Sequence, residues 1–451
     1  MTFILKTTVL SMLKKILVLF DVEIISWKTL PNITEDRKLI ILRHLNVNLV
    51  KVLVQMLRLE ENIRIFSFYK INKFWLDVLG QWPTEQRVSV LIRRYSMLAV
   101  SGFDILCHTY WLATSTNDII SLSTSGPLLI GSATVFLVGC YVGIYNDRLA
   151  DLLTLMENDW YSEMNSAEIK IKQEYAKYAQ IISKLLLYGV MIALIIFVGY
   201  FACSWKILDI IIPLNESRHP VLPFPTRYFF YKENDMFIHY LAFSIMSATT
   251  VYLFILGSAI ESLFVVHMLH IVGMFDLIGY RLINAIPLEH KQMDQKNINK
   301  AYFQSLILCI QRHRKALEYS LGIEKLYQPI FIGSLTVSIF IFSPALYIVI
   351  TPGVWEYTAV ITSLVLVGFF FANTMIGQIL IDMSGVLPDK AYFSPWIYVD
   401  PRIQKLLIIL MRKSSKPCEL TVYNLCSLSV DCFRMVMHTT ISYVMVMRNF
   451  T

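Results

Sequence analysis

The chain has 451 residues, of which 56% are hydrophobic and only 16% charged, with a formal net charge of +7. Soluble domains carry about a quarter charged residues, so this composition excludes an ordinary water-soluble protein. The apolar residues fall in continuous runs long enough to cross the hydrocarbon layer, about 20 residues each, whereas a β-barrel would show short alternating strands. We therefore predict an all-α membrane protein, and the net charge calls for no nucleic acid partner.

Residues 1–68 are predicted to be an N-terminal extension whose role the sequence leaves open. Lys6, Lys14 and Lys15 interrupt its apolar opening, which lacks the continuous apolar core and cleavage site of a signal peptide. An amphipathic surface helix and an incidental extension from an upstream start codon both stay open. From Tyr69, the stretch YKINKFWLDVLGQWP mixes aromatic and cationic residues, which is typical of a membrane interface.

Seven apolar segments predict seven transmembrane helices. They lie at about 91–113, 119–143, 180–205, 236–266, 327–350, 357–381 and 425–447. The first six fall within 69–381, and a linker, 382–424, separates them from the last, which belongs to 425–451. The fourth is longer than a bilayer requires, so we expect part of it to tilt or to extend into water.

Basic residues in the predicted loops indicate the orientation. The second, fourth and sixth loops, 144–179, 267–326 and 382–424, carry most of the loop lysines and arginines, whereas 114–118 and 351–356 carry none. Because cytoplasmic loops are enriched in these residues, we expect a cytoplasmic N-terminus and an extracellular C-terminus.

The third loop carries a sequon, Asn215-Glu216-Ser217, which is a glycosylation acceptor if that loop is extracellular. Cys107 and Cys203 could pair near the outer surface, but we prefer to interpret them as small apolar helix residues.

The sequence contains no phosphate-binding glycine loop, zinc-type cysteine and histidine spacing or nucleophile elbow, so we predict no enzyme, metal or cofactor. His267 and His270 share a helical face without a third ligand, which favours hydrogen bonding at the surface or between helices over a metal site. Asp431, Arg434 and His438 share a face of the last helix. They predict an intrahelical ion pair packed against neighbouring chains or, alternatively, a face beside a water-filled path.

Aromatic residues on the third and fourth segments predict an apolar pocket in the outer half of the bundle. The candidate ligand-binding residues are Phe197, Tyr200, Phe201, Tyr240, Phe243 and Ser244. An apolar pocket with a few hydroxyl groups suits a small volatile or lipid-like molecule. The alternative is that these side chains contact membrane lipid or pack helices together.

The residues from Gly377 onward resemble those of insect odorant receptors, and YKINKFWLDVLGQWP is similar to the start of such receptors in wasps, bees and ants. The similarity covers residues 69–451 in layout. Its most specific residues are Gly377-Gln378, Leu380, Ser384, Tyr392, Trp396, KLLIILMRKSSKP, Leu420-Thr421, Ser427-Leu428-Ser429, Phe433 and Ser442-Tyr443. One departure is Val422-Tyr423, where many members have Ala-Gly.

This resemblance implies an odorant-binding subunit of a heteromeric, ligand-gated, non-selective cation channel in the plasma membrane of an olfactory neuron dendrite. The partner would be the odorant co-receptor, in a tetramer. The fourth to sixth helices and the linker would form a cytoplasmic anchor, and the last helix would line the pore. Val446 and Phe450 match apolar gate positions, with Asn449 between them, and an apolar ring closes a pore by dewetting.

The same residues also allow comparison with two other receptor classes and with transporters. A gustatory receptor of the same superfamily is the nearest alternative, since SYVMVMRNF loosely matches its final motif, but AYFSPW and KSSKP favour the odorant branch. A G-protein-coupled receptor needs the opposite charge bias. A transporter is expected to show broken segments in two related halves, which this sequence does not show.

Overall fold

Long α-helices make up most of the part of the chain that the computed structural model describes. The described residues are 68–83, 88–114, 119–162, 164–211, 222–223, 236–286, 294–350 and 357–449. The helices are α1 (68–78), α2 (Val88–Thr114), α3 (Ile119–Ile144), α4 (Asn146–Trp160), α5 (Ser166–Ile211), α6 (Met236–Ile283), α7 (Gln295–Ile350), α8 (Tyr357–Gly385), α9 (Leu387–Tyr392), α10 (Pro401–Ser414) and α11 (Val430–Asn449). A short 3-10 helix, Trp396–Tyr398, precedes α10, and strands β1 (Thr421–Val422) and β2 (Cys426–Ser427) precede α11.

Each predicted apolar segment overlaps one of these helices. Among the described residues, four helical stretches are long and apolar enough to cross a membrane: Ser166–Cys203, Met236–Ile283, Gln295–Ser343 and Val367–Tyr398. Leu129–Ile144 and Asn146–Trp160, bent by 70°, make a fifth if they are counted as one span. The prediction of an all-α membrane protein is confirmed, while the number of spans and the orientation stay predictions.

Three helices are far longer than a bilayer requires. α5, α6 and α7 contain 46, 48 and 56 residues, which is about 70–85 Å at 1.5 Å per residue. The hydrocarbon layer is only about 30 Å thick, so each helix continues well outside it. This agrees with the expectation that the fourth segment extends beyond the bilayer.

α6 is the central helix of the described fold. It packs on α2, α3, α5, α7 and α8, and nearly every residue from Thr249 to Leu282 is buried. Its sequence is apolar on all faces, which is the pattern of a helix surrounded by other helices.

The last predicted segment begins as a hairpin and becomes helical only at Val430. β1 pairs antiparallel with β2, with Val422 opposite Cys426. Tyr423 and Asn424 between them have φ of 48° and 59°, the left-handed values that a tight hairpin turn uses. Apolar composition alone does not reveal this turn, which is why the predicted segment started too early.

Candidate ligand pocket, pore helix and joint

The predicted pocket aromatics of α5 form one cluster. The ring centroids of Phe197 and Phe201 are 5.0 Å apart, and those of Tyr200 and Phe201 are 5.1 Å apart, with the latter pair edge to face. Tyr200 is 53% exposed, and the other two rings are half-buried. The structure therefore brings together the three candidates on this helix.

The candidates on α6 lie on its more exposed side. Tyr240 is 45% exposed, Ser244 is exposed and donates its hydroxyl to the carbonyl of Tyr240 at 2.7 Å, and Phe243 is half-buried. The neighbouring His239 is buried and meets the ring of Tyr240 edge to face at 5.8 Å.

The opposite side of the same stretch of α6 forms a buried seam that the sequence analysis did not single out. Ala242 and Met246 are fully buried with Cys107 of α2, and Ile245 packs against them. Cys107 and Cys203 are both free thiols, Cys107 buried and Cys203 exposed. The spacing of His239, Ala242 and Met246, three and four residues, is the helical signal that could have located this seam.

We use the name joint for residues 418–429, which connect α10 to α11 through the hairpin. Thr421 donates its backbone N–H to a carboxylate oxygen of Glu324 on α7 at 3.1 Å, and its hydroxyl donates to the same oxygen. The backbone N–H of Cys418 donates to the hydroxyl of Ser384 on α8 at 2.8 Å. The joint is thus hydrogen-bonded to both α7 and α8.

Gly377 of α8 lets the joint approach unusually closely. A Cβ atom at this position would overlap the backbone carbonyl oxygen of Leu428 and would lie 2.9 Å from the carbonyl carbon. Val430, the first residue of α11, directs its N–H towards the side-chain oxygen of Gln378 at 3.4 Å. Several residues that carry the family resemblance therefore hold the start of the last helix.

α11 packs one face against its own chain and leaves the other face free. Cys432, Val436, Thr440 and Val444 repeat every four residues and are all buried, and α11 contacts α7 and α8. Val446 is two residues, or about 200° of helical rotation, from Val444, and it is 50% exposed.

The other site predictions on the outer side are only partly within the described residues. Asn449 is the last helical residue of α11. Phe450 and the sequon residue Asn215 lie outside the described residues. The pocket, pore and glycosylation assignments therefore stay predictions.

At the other end of α5 and α6, charged side chains form a buried polar cluster that the sequence analysis did not recognise. Lys172 bonds to the carboxylate of Asp159 and to its carbonyl at 2.9 Å, and His270 lies 3.4 Å from that carboxylate. The guanidinium group of Arg281 donates two hydrogen bonds, of 2.6 and 2.5 Å, to the carboxylate of Glu168.

Glu168 has a second role as part of a capping box at the start of α5. The N–H of Asn165 donates to the Glu168 carboxylate at 3.1 Å, and the N–H of Glu168 donates to the Asn165 side chain at 2.8 Å. This reciprocal pair satisfies backbone donors that a helix start leaves free. The spacing N-x-x-E is the signal from which this capping box could have been predicted.

The charges of the cluster hold its carboxylates ionised. These groups lie in the predicted loops, outside the predicted spanning segments. Burial by itself raises the pKa of the Glu168 carboxyl, but the paired Arg281 outweighs burial, so the pKa lies below its ordinary value. For Asp159 burial is likewise outweighed, by Lys172 and His270, and the pKa falls well below its ordinary value.

Two predictions from polar spacing are confirmed. His267 bonds to the hydroxyl of Tyr319 on α7 at 2.5 Å, so this histidine does connect helices. Asp431 and Arg434 form the predicted intrahelical ion pair, exposed and 2.9 Å long, while its surroundings in an assembly stay a prediction. Among the described residues, no group of three or more His, Cys, Asp or Glu residues is arranged to hold a metal ion.

Comparison with known proteins was made at the level of sequence and of fold. The chain is similar to Odorant receptor 49a of Drosophila melanogaster, with 26% identity over 147 residues, or 32% of this chain. The match spans 37% of the length of that curated relative.

Solved structures of the olfactory receptor OR5 of the insect Machilis hrabei share the fold. The structure in complex with eugenol aligns over 86% of this chain and 99% of that receptor, with a TM-score of 0.67 and 11% identity. A second structure of the same receptor gives the same coverage and TM-score at 12% identity. Identity this low shows the fold alone.

The sequence profile described as 7tm Odorant receptor matches residues 118–441, which is well over half of the chain. The matched part runs from α3 to α11 and so includes the joint. The chain therefore belongs to the 7tm odorant receptor family.

Proposed function

We propose that this protein is the odorant-binding subunit of a heteromeric, ligand-gated, non-selective cation channel, with the odorant co-receptor as its partner. The observation that carries the proposal, beyond family membership, is the two-sided α11. One face packs on α7 and α8, and the rest of the helix surface exposes Ile441, Met445 and Val446 at 50–55%. A helix that leaves an apolar face uncovered in one subunit suits contact with other subunits around a shared axis.

The gate is proposed at the outer end of α11. Val446 and Phe450 are four residues apart and share a helical face. A ring of such side chains around a narrow pore opposes conduction because it cannot replace the hydration shell of an ion. Asn449 offers an amide dipole to a partly hydrated cation.

The odorant is proposed to bind in the outer half of the bundle, between the aromatic cluster of α5 and the start of α6. Phe197, Tyr200 and Phe201 supply aromatic surface, while Tyr240, Phe243 and Ser244 supply further apolar area and hydroxyl groups. The complex of the related receptor holds eugenol, a small molecule of the size and polarity that such a site suits. Binding would shift a closed–open equilibrium only through different affinities for the two states.

The joint is proposed to transmit this change to α11. α6 packs against α7 and α8, and the joint is hydrogen-bonded to Glu324 of α7 and Ser384 of α8. A displacement of either helix therefore moves the start of α11.

The proposed channel has a cytoplasmic N-terminus and an extracellular C-terminus, and lies in the plasma membrane of an olfactory neuron dendrite. Asn215 would then carry a glycan in the third loop. An epitope after Thr451 should be labelled on intact cells, and one before Met1 only after permeabilisation. The reverse pattern would contradict the proposed topology.

The proposal is tested by voltage clamp of cells that express the chain with and without the co-receptor, exposed to a panel of volatiles that includes eugenol. We expect odorant-evoked cation current only with both subunits. Surface expression of both subunits without a current to any volatile on a broad panel would contradict the proposal.

The ligand site has its own test within α5. Tyr200→Ala should shift the odorant dose–response curve and leave currents evoked through the co-receptor unchanged. Tyr178→Ala is the matched control, since Tyr178 lies on the same helix and is 58% exposed, but lies far from the aromatic cluster. Equal shifts in both variants would argue against the site.

A further inference from the structure

Two of the seven cysteines lie within bonding reach of each other at the start of α11. The Sγ atoms of Cys426 and Cys432 are 2.6 Å apart, and both cysteines are free thiols. A disulfide bond is about 2.05 Å long, so the two sulfurs need to approach by only about half an ångström. The two sulfurs are closer than the atoms of an ordinary thiol hydrogen bond nearby, since the Sγ of Cys418 lies 3.1 Å from the hydroxyl oxygen of Ser320.

This pair bridges the joint and the pore helix. Cys426 belongs to β2, and Cys432 belongs to the first turn of α11. Leu428 lies between them in the sequence and rests its carbonyl against Gly377 of α8. A bond between the two sulfurs would tie the first turn of α11 to the hairpin at the point where the hairpin meets α8.

We propose that Cys426 and Cys432 are a redox-active dithiol that a hydroperoxide oxidises to a disulfide, which restrains the movement of α11. Cys426 is half-buried and Cys432 is 3% exposed, so Cys426 is the thiol that meets the oxidant. Its sulfur attacks the peroxide, giving a sulfenic acid and water (an alcohol from an organic hydroperoxide). The Cys432 thiol then attacks that sulfur and releases a second water, so that two thiols lose two electrons and two protons.

Reduction by two equivalents of a cellular thiol returns the dithiol and yields the oxidised thiol. The proposed orientation places the joint at the cytoplasmic side, where thiols are kept reduced and disulfides are transient and sensing. The pair should therefore be reduced at rest. The consequence for α11 gating depends on the proposed channel function, but the oxidation itself does not.

Differential thiol labelling tests the chemistry on the full chain in membranes. Membranes are treated with hydrogen peroxide, free thiols are blocked with N-ethylmaleimide in denaturant so that buried thiols also react, and disulfides are then reduced and labelled with a heavy maleimide. Trypsin releases residues 414–434 as one peptide, because Lys416 precedes a proline, and fragment masses then separate Cys418 from Cys426 and Cys432. We expect heavy label on Cys426 and Cys432 together and N-ethylmaleimide on Cys418.

Single variants decide whether the two thiols react with each other. In Cys426→Ser, peroxide-dependent label should be lost from Cys432. In Cys432→Ser, dimedone added with the N-ethylmaleimide traps the sulfenic acid left on Cys426, so the label should be lost there as well. Cys140→Ser is the matched control, since Cys140 is also half-buried, and it should leave both labels in place. Label that persists on one cysteine after removal of the other, or wild-type protein without heavy label at either position, would overturn the proposal.

Current recordings form a separate arm. Peroxide should reduce the odorant-evoked current of wild type, a thiol reductant should restore it, and Cys426→Ser should abolish the peroxide effect. Equal inhibition of wild type and Cys426→Ser would overturn the restraint on α11. A chain that passes the labelling test but carries no current would contradict the channel function and not the dithiol.

Discussion

Removal of the charge of Glu168 should destabilise the protein far more than removal of a comparable exposed charge. Glu168→Gln is the appropriate change because glutamine keeps the shape of the side chain and can still complete the capping box with Asn165. What it removes is the negative charge opposite Arg281. The side chains of Glu168 and Arg281 are only 3% and 12% exposed, so the cation would be left buried and unpaired.

The size of the effect follows from this geometry. Loss of one partner of a buried ion pair costs about 3–5 kcal/mol, since the remaining charge stays desolvated. The glutamine oxygen still accepts one of the two hydrogen bonds from Arg281, which reduces the expected loss to about 2–4 kcal/mol. At about 2 °C per kcal/mol for a large chain, the apparent melting temperature should fall by about 4–8 °C.

The assay is thermal unfolding of the solubilised full-length protein, followed by the loss of its monodisperse chromatographic peak. Glu318→Gln is the matched control, since Glu318 pairs with Arg314 on α7 at 3.4 Å with side chains 58% and 75% exposed. Such surface pairs contribute under about 1 kcal/mol, so this variant should melt within about 2 °C of wild type.

The pH dependence of the melting temperature provides a second test. Because the pKa of Glu168 is lower in the folded state, its stabilising contribution is complete at pH 7 and is lost as the pH falls below about 4. The difference in melting temperature between wild type and Glu168→Gln should therefore be constant near neutral pH and shrink in acid. Equal melting temperatures for Glu168→Gln and Glu318→Gln at pH 7 would refute the reasoning.

Three further changes test other parts of the molecule. Gly377→Ala should lower the melting temperature by several degrees, since the new Cβ overlaps the backbone of Leu428 and overpacking costs about 1–3 kcal/mol, whereas Gly199→Ala, with open space beside it, should be neutral or stabilising. Val446→Ser should raise the basal current recorded with the co-receptor, because a hydroxyl in a narrow ring favours water, and an unchanged current would argue against a gate there. Asn215→Gln should increase electrophoretic mobility by one glycan, and no shift would remove support for an extracellular third loop.

The helices could be predicted from the sequence because membrane helices have a strong and simple sequence pattern. Long apolar runs located helices at every predicted segment, and the excess length of the fourth segment anticipated that α6 continues beyond the bilayer. Spacing of charges was equally reliable within one helix, as the Asp431–Arg434 pair illustrates. Both signals depend only on residues close together in the chain.

The joint and the polar cluster were not accessible in this way, because both depend on partners far apart in the chain. Glu324 and Thr421 are separated by nearly 100 residues, and Glu168 and Arg281 by more than 100. Nothing in the local sequence of Glu324 indicates that it accepts a hairpin N–H.

The hairpin itself shows why apolar composition misplaced the start of the last helix. Cys426, Ser427 and Leu428 have the composition of a helix end, but the left-handed φ of Tyr423 and Asn424 reverses the chain. The hydrogen bond from Leu428 N–H to the Leu420 carbonyl at 2.8 Å then holds the two strands together. The bend at Leu428 and Ser429, between β2 and α11, places Cys426 beside Cys432, whereas a continuous helix would separate residues six apart by most of two turns and place them on different faces. The closeness of the two sulfurs is therefore a property of this bend, and a variant that continues the helix through Leu428 and Ser429 should separate the thiols without altering either cysteine.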